Sequence, residues 1–277
     1  MQRMLPLLAL LSFASAQAQV SGPSETRVPR AAETDAIIRA VCSGKADLGR
    51  LSGCKQTVYE GRLSSEIRSP RTMLLLSSVL SGSFTAPGQK ELLATFCTET
   101  ESCSGETVLL RQMRGQWQPV SLVPGFLPFN CLTYPKRNGT QAAVCMGENA
   151  KNEPIGDALK IASWTGGKLK VETVALFPLL QFRDFFGTGS QQCAGRWQYE
   201  AFGWNDRDRN ADRVPDLTVL ASVTTYQPTP ELCKMGQGFD AQSSASARRD
   251  LTFVWTGETL RPTGTTAATL EKYSRGR

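Results

Sequence analysis

The densest group of potential metal ligands in this sequence lies between residues 204 and 223. Four oxygen-bearing side chains stand at relative positions 1, 3, 5 and 9 of a short segment, and they are Asp208, Asn210, Asp212 and Asp216. Calcium binds six to eight oxygen ligands, and the backbone carbonyl of Val214 together with water can complete such a set. The spacing therefore predicts a Ca²⁺ site in this loop.

Two other interpretations of this segment are weaker. An EF-hand has a bidentate Glu at position 12, where this chain has Val219. A solvated turn, in which Arg207, Arg209 and Arg213 neutralise the acids, is the second alternative. Exposed ion pairs contribute at most about 1 kcal/mol, and three converging carboxylates repel one another unless a cation lies between them. We therefore favour a bound cation with a mainly structural role.

The stretch DRNADRVPDLTVL resembles the FG-GAP or VCBS-type repeat of integrin-α-like propellers. That repeat has the pattern D-x-[DN]-x-D-G-x-x-D-L, followed by a strand. The residues that match it are Asp208, Asn210, Asp212, Pro215, Asp216 and Leu217. The resemblance implies the three aspartates and the asparagine as side-chain ligands. Arg213 stands where the family has glycine, and a bulky residue is disfavoured if that position requires positive φ.

A second, decayed copy of the repeat is expected in the segment GSFTAPGQKELLATF, residues 82–96. It keeps Gly88, Glu91 and Leu92 in register with the first copy. The positions of the ligands hold Ser83, Thr85 and Pro87, so we expect no ion here. Propellers of this family have more blades than the chain can supply, so the resemblance does not transfer the whole architecture.

The sequence contains no histidine. Catalysis by Ser-His-Asp or Cys-His groups is therefore excluded, as are zinc, copper and non-haem iron sites that depend on histidine. An enzyme built from this chain would have to use carboxylates, Lys, Tyr or a hard cation. Glu91, Glu148 and Glu153 are scattered carboxylates that could form a glycosidase pair, although no spacing singles one out. We assign no catalytic residue.

The N-terminus is typical of a secretory signal peptide, for which we expect the range 1–18. Arg3 precedes the apolar run Leu5–Ala14, and Ala16 and Ala18 form a small-residue cleavage site. The run is about half of the roughly 20 residues that span a bilayer, so no transmembrane segment is predicted. We expect a secreted or periplasmic protein. Lys and Arg are interspersed with acids and do not alternate with aromatic residues, which disfavours nucleic-acid binding.

All eight cysteines follow the predicted signal peptide. An even number of cysteines in an exported chain indicates disulfides rather than metal ligation. The absence of a C-x-x-C motif argues against a thiol oxidoreductase. We expect pairing in chain order, which joins Cys42 to Cys54, Cys97 to Cys103, Cys131 to Cys145, and Cys193 to Cys233.

The predicted fold is all-β and disulfide-rich, a small propeller-like or hairpin-repeat array with a short N-terminal helical cap. Short apolar runs, separated by Gly, Pro, Asn and Ser, continue from about residue 55 onward. Four segments share the plan of strand, glycine turn and strand, and they are 57–65, 109–120, 160–171 and 252–262. Their turn glycines are Gly61, Gly115, Gly166 or Gly167, and Gly257. The alternative is that hairpins in any β protein share this plan.

The expected organisation has five parts in chain order. They are a signal peptide at 1–18, a flexible lead-in at 19–32, a helical cap at 33–54, a β-repeat domain at 55–262 and a polar tail at 263–277. In the cap, Thr34 is the predicted N-cap of a helix and Gly44 its end. Ile37, Ile38 and Val41 lie on one face of that helix.

The function that these features favour is an exported binding or structural protein with a calcium-stabilised loop. Its partner would be a protein or glycan of the envelope or the extracellular space. The rival hypothesis is a carboxylate-based secreted hydrolase that acts on saccharides.

The cysteine pattern predicts that the exported protein contains no free thiol. Alkylation of the unfolded, unreduced protein should add no mass, whereas alkylation after reduction should modify all eight cysteines. Mass spectrometry measures both states. One alkylated cysteine without reduction would contradict the prediction.

Overall fold

The computed structural model describes residues 24–42, 53–54, 74–98, 105–123, 126–128, 130–148, 156–178, 196–208, 211, 214–226 and 243–274. The predicted signal peptide and the predicted hairpin at 57–65 lie outside these residues. Within them the chain is mostly β, with two helices. This confirms the predicted preponderance of strands and the N-terminal helix.

Helix α1 spans Ala31–Val41 and buries the face that the sequence predicted, with Ile37, Ile38 and Val41 fully buried. The predicted N-cap was wrong, because the helix begins three residues before Thr34. Arg30 is the N-cap, and the Glu33 side chain accepts a hydrogen bond from its backbone N–H. The Thr34 hydroxyl instead donates to the Arg30 carbonyl within the first turn. The helix ends where Cys42 becomes extended.

The start of α1 is fixed by an ion pair with the preceding segment. The Arg27 guanidinium donates two hydrogen bonds of 2.7 and 2.8 Å to the Glu33 carboxylate. These bonds lower the pKa of Glu33 and raise that of Arg27. The stabilisation by Glu33 is therefore fully present above the ordinary pKa of a glutamate, and it is lost as the pH falls through the lowered pKa.

The strands form three antiparallel sheets, in each of which hydrogen-bonded neighbours follow one another in sequence. Sheet 1 consists of β1 (Gly53–Cys54), β2 (Leu74–Gly82), β3 (Glu91–Thr98), β4 (Gly105–Met113) and β5 (Gln116–Val123). Sheet 2 consists of β6 (Asn130–Pro135), β7 (Gln141–Glu148), β8 (Gly156–Thr165) and β9 (Lys168–Pro178). Sheet 3 consists of β10 (Arg196–Arg207), β11 (Asp216–Tyr226), β12 (Ser243–Trp255) and β13 (Leu260–Pro262). No sheet closes on itself within the described residues, and a propeller ring is not seen there.

Three apolar clusters stack these elements in chain order. The first joins α1 to one face of sheet 1 and includes Ile37, Val41, Leu92, Phe96 and Leu110. The second joins the other face of sheet 1 to sheet 2 and includes Phe84, Leu93, Leu109, Ala143 and Trp164. The third joins sheet 2 to sheet 3 and includes Tyr134, Val144, Ile161, Leu217 and Phe253. Sheet 2 therefore lies between two other sheets.

Three of the four predicted glycine hairpins are confirmed, and each forms the last two strands of its sheet. They connect β4 to β5, β8 to β9, and β12 to β13. Gly115, Gly166, Gly167 and Gly257 all have positive φ, which glycine adopts without steric cost. Each of the three sheets is thus a meander that ends in such a hairpin.

The predicted lead-in is not free of structure throughout. Ser24 and Thr26 are hydrogen-bonded to β6, through Thr133 and Cys131, and Arg27 exchanges backbone hydrogen bonds with Val79 of β2. Residues 24–27 therefore connect β2 of sheet 1 to β6 of sheet 2. No sequence pattern indicated this connection, because the segment is polar and has no strand-like periodicity.

The C-terminal segment also has more structure than the expected polar tail. Helix α2 spans Gly264–Ser274. Its Thr266 hydroxyl accepts a hydrogen bond of 2.8 Å from the Thr252 N–H of β12, and Leu270 packs against the cluster between sheets 2 and 3. With so few large apolar residues, the segment offers little sequence evidence of a packed helix.

The disulfide between Cys131 and Cys145 confirms one predicted pairing, and it joins β6 to β7 where the two residues face each other. Cys42 and Cys97 are disulfide-bonded as well. No cysteine among the described residues is free. The remaining predicted pairings involve side chains outside the described part of the chain. No helix in that part is long and apolar enough to cross a membrane.

Sheets 2 and 3 are held together at one end by polar contacts. The Trp255 indole N–H donates to the Pro135 carbonyl over 2.7 Å, and the Arg137 N–H donates to the Gly257 carbonyl over 3.2 Å. The Arg137 guanidinium also donates to the Thr256 carbonyl. Gly257 packs so closely that an added Cβ would lie 2.8 Å from Cγ of Arg137.

We predict that Gly257→Ala lowers the free energy of unfolding by about 2–4 kcal/mol, since a side chain at positive φ and an overpacked contact each contribute. Gly115→Ala is the matched control, because Gly115 has a similar φ and no atom near its Cβ position. Its loss should be about 1–2 kcal/mol. Urea unfolding measures both. Equal losses, or no relief of the Gly257→Ala loss in an Arg137→Ala background, would contradict the role of this contact.

Candidate metal centre

The predicted calcium loop connects the first two strands of sheet 3. β10 ends at Arg207 and β11 begins at Asp216, and these two residues face each other in the ladder. Of the five predicted ligands, the structure describes Asp208, Val214 and Asp216, whereas Asn210 and Asp212 lie outside the described residues.

Asp216 is the most deeply buried of the three predicted ligands that the structure describes, with 1% of its surface exposed. It is the first residue of β11, and the following Leu217 belongs to the cluster between sheets 2 and 3. Packing of Leu217 and Val219 fixes the register of the strand, so Asp216 cannot move away from the loop without disturbing that core. A buried carboxylate requires hydrogen-bond donors or a cation around it.

Asn205 is a neighbour of this site that the sequence analysis did not single out. It faces Thr218 in the ladder, and strand alternation places it on the same face of sheet 3 as Arg207 and Asp216. Diagonal neighbours of this kind lie about 7–8 Å apart at Cα. The Oδ1 atom of Asn205 is buried and has no hydrogen-bond partner among the described residues. An amide oxygen in this position fits the ligand preference of a hard cation.

Val214 and Ala211 show how the loop is held. The Val214 side chain is partly buried against the cluster between sheets 2 and 3. This anchor leaves the backbone carbonyl of Val214 as the group that could bind an ion. Ala211 has φ of +60°, a conformation that costs a residue with a side chain roughly 1–2 kcal/mol. The described part of the loop thus includes one residue in the left-handed conformation, Ala211. It lies two positions before Arg213, and Arg213 occupies the position of the family's glycine.

In the alternative interpretation, the loop is a solvated turn whose arginines neutralise its aspartates, and the exposed residues of the loop are relevant to it. Asp208 and Arg207 are both exposed. Within the described residues, Arg207 forms no salt bridge with Asp208 or Asp216. No group of three metal-binding His, Cys, Asp or Glu residues is found in that part of the chain, which contains only two of the three aspartates of the predicted site. The described residues of the loop offer the oxygen atoms that a hard cation prefers, but they do not complete its coordination shell.

The segment 82–96, for which a decayed copy of the loop was predicted, has an arginine beside its buried carboxylate. Glu91 is 2% exposed, and its carboxylate accepts hydrogen bonds from Nε and from Nη2 of Arg111, over 3.1 and 2.8 Å. The backbone N–H and the hydroxyl of Thr85 donate to the same carboxylate. Gly88 has φ of +70°, as a turn at this position requires. Arg111 thus supplies a positive charge where no ion was expected.

The same structural position recurs in all three sheets, as the first residue of the second strand in each four-stranded meander. Glu91 occupies it in sheet 1, Gln141 in sheet 2 and Asp216 in sheet 3. The Gln141 side-chain oxygen accepts the Ser83 N–H over 2.8 Å, and its backbone N–H donates to the Ser83 carbonyl. Each of these positions thus holds a side chain beside a turn that can accept hydrogen bonds. The donor is the Arg111 guanidinium in sheet 1 and the Ser83 backbone N–H in sheet 2.

The rival hypothesis of a glycosidase-like carboxylate pair included Glu91, and the structure excludes Glu91 from such a pair. Glu91 is buried and bonded to Arg111 and Thr85, so it is not available to a saccharide. The side chains of Glu148 and Glu153 lie outside the described ones. Sequence reasoning did not find Arg111, whose only signal is that it lies on the strand next to Glu91.

Comparison with known proteins gives no match to a family model, to a curated protein or to a solved structure. The likeness to FG-GAP repeats therefore depends on the residues of the loop itself.

We predict that Arg111→Met lowers the free energy of unfolding by about 2–4 kcal/mol, because it removes the cation from a buried carboxylate. The double variant Arg111→Met/Glu91→Gln should recover part of this loss. Lys170→Met is the control, since the Lys170–Glu172 pair is exposed and worth less than about 1 kcal/mol. Chemical denaturation measures all three variants. Similar losses for Arg111→Met and Lys170→Met would contradict the assignment.

Proposed function

We propose that this chain is an exported binding or structural protein whose loop from Asp208 to Asp216 is stabilised by calcium. The observation that carries the proposal is the pair of oxygen ligands at the base of the loop. The buried Asp216 carboxylate and the buried, unpartnered Oδ1 of Asn205 lie on the same face of adjacent strands. Together with the spacing of Asp208, Asn210 and Asp212, they supply the donor type that Ca²⁺ prefers.

A calcium ion at this position would connect β10 to β11 where the two strands part. It would offset the repulsion between the three aspartates and restrict the loop, which contains a left-handed alanine. The ion stabilises the fold and need not take part in a reaction. The partner would be an extracellular or envelope protein or glycan, bound by the loops that the sheets present.

We also propose that the three sheets belong to a propeller-like array related to FG-GAP repeats. Support comes from the repeated meander, from the face-to-face packing of successive sheets, and from the polar residue that starts the second strand of each meander. Export is supported by the signal-like N-terminus and by the disulfide, since disulfides persist in oxidising compartments.

Calcium should raise the melting temperature of the protein. For a dissociation constant on the order of 10⁻⁴–10⁻³ M, typical of extracellular modules, 10 mM calcium stabilises the fold by about 1.4–2.7 kcal/mol. This corresponds to roughly 3–10 °C for a chain of this size. Differential scanning calorimetry in calcium and in chelator measures the shift.

Asp212→Ala should abolish most of that shift, because it removes the central carboxylate of the loop. Asp250→Ala is the matched control, as Asp250 is an exposed acid on β12 away from the loop. A melting temperature that is the same in calcium and chelator would count against the site. So would equal calcium shifts in the two variants.

A further inference from the structure

The meander topology gathers one set of turns at one end of the stack. In each sheet, the connection between the first two strands of the meander and the turn between its last two strands lie at this end, which we name the turn end. Contacts between sheets confirm the common orientation. Ser83 bonds to Gln141, the Pro87 side chain lies beside Gly139, and Arg137 bonds to Gly257.

The turn end is basic, although the charges are dispersed along the sequence. Five exposed cations lie there, namely Lys90, Arg114, Arg137, Lys168 and Arg207. None of them is in a salt bridge with another described residue. The surface of this end therefore has five positive side chains that no described carboxylate neutralises by direct contact.

The acids at the turn end offset little of this charge. Glu91 is bonded to Arg111 and Glu258 to Lys136, so two further cations neutralise them. Asp216 is buried, and Asp208 is a further exposed acid among the described turn residues. In the rest of the loop, Arg209 and Arg213 outnumber Asp212.

At the opposite ends of the described strands, the last two positions include the acids Glu106, Glu148 and Asp157 and the cation Arg196, and Glu106 is buried. These positions do not repeat the group of exposed cations found at the turn end. A positive field at the turn end attracts and orients anions.

The arrangement of the cations fits an extended partner. Lys90, Arg137 and Arg207 lie in or beside the connections between the first two meander strands of three successive sheets, and face-to-face sheets lie about 10 Å apart. Arg114 and Lys168 stand at the outer turns of sheets 1 and 2. A small anion would reach one or two of these groups. A linear polymer with repeated negative charges can contact several at once.

The apolar and aromatic side chains near the turn end limit which classes of partner can bind there. Of the large apolar residues that are exposed, only Met113 adjoins the turn end, so the surface lacks the apolar anchors of a membrane-binding element. Among the described aromatic rings near this end, Phe84, Tyr134, Trp164 and Trp255 are at most 4% exposed, and Trp117 is partly buried against the cluster of α1 and sheet 1. No described ring there is fully exposed as a stacking platform for nucleic-acid bases.

We propose that the turn end binds an acidic polysaccharide through Lys90, Arg114, Arg137, Lys168 and Arg207. This deepens the binding role proposed above, on which it rests, by naming the partner class, but it does not require the calcium ion. The contacts are mainly electrostatic, so the affinity falls as the salt concentration rises.

The test uses the full exported protein and dextran sulfate as the probe, with neutral dextran as the uncharged reference. The variant Lys90→Gln/Arg114→Asn/Lys168→Gln removes three cations of the turn end, and asparagine tolerates the positive φ of Arg114. The control Arg39→Gln/Arg248→Gln/Arg249→Gln removes the same charge from α1 and β12, where these residues are also exposed. Circular dichroism and thermal melting verify that both variants are folded.

Isothermal titration calorimetry over a series of salt concentrations should show binding of dextran sulfate and none of neutral dextran. The turn-end variant should bind about tenfold or more weakly and have a shallower salt dependence, since fewer counterions are exchanged. The control variant should lose no more than about threefold. Equal losses in the two variants would overturn the proposal, because net charge alone would then explain the binding.

Two competing partners are part of the same experiment. Tighter binding of a DNA duplex, or of vesicles of phosphatidylglycerol and phosphatidylcholine, than of dextran sulfate would overturn the assignment to a polysaccharide. Titrations in calcium and in chelator separate the two proposals. Turn-end binding without a calcium-dependent melting shift would contradict the calcium loop alone. A normal calcium shift with unchanged binding by the turn-end variant would contradict the present proposal alone.

Discussion

The middle sheet has to bury both of its faces, since another sheet packs on each of them. Strand β7 shows this constraint most clearly, because Ala142, Ala143, Val144 and Cys145 are all buried in succession. A sheet with one solvated face would alternate apolar and polar residues, whereas a sheet covered on both faces has nearly continuous apolar runs. The small side chains of β7 let the neighbouring sheets approach, so the order of the whole stack depends on this strand.

Apolar burial holds the sheets together but is not directional, so the relative position of the sheets depends on polar contacts at the turn end. Ser83 with Gln141, and Pro135 with Trp255, are hydrogen bonds between successive sheets. They lie where the strands turn and where backbone groups are not used by the ladders. In sheets 1 and 2 the first residue of the meander's second strand accepts hydrogen bonds there: Glu91 from Thr85 and Arg111, and Gln141 from Ser83. An unsatisfied polar group at this depth would cost about 1–3 kcal/mol.

Local patterns predicted the local parts of the structure. The apolar spacing of Ile37, Ile38 and Val41 predicted the buried face of α1, and the turn glycines predicted three hairpins. The N-cap was wrong because the side chain of Glu33, paired with Arg27, caps the helix earlier. The connection of residues 24–27 to two sheets depends on partners about 50 or 100 residues away, for which no spacing is diagnostic.

The residues of the candidate site also divide into those that local spacing predicted and those that only the structure revealed. Loop spacing identified Asp208, Asn210, Asp212 and Asp216, but a loop pattern cannot include a ligand from the strand before it. Asn205 became visible only when the register placed it diagonally from Asp216. Arg111 was missed for the same reason, since its partnership with Glu91 is a cross-strand relation between residues 20 positions apart.

The two proposals are coupled by electrostatics. A bound calcium ion would neutralise carboxylates of Asp208, Asp212 and Asp216, and it would leave Arg207, Arg209 and Arg213 without local counter-charges. The turn end would then become more positive, and the affinity for a polyanion would increase. By linkage, a bound polyanion would raise the affinity for calcium by the same factor. Under the calcium proposal, the acids of the loop would hold the ion and the arginines would remain available to a partner, which would account for the alternation of aspartate and arginine in the sequence.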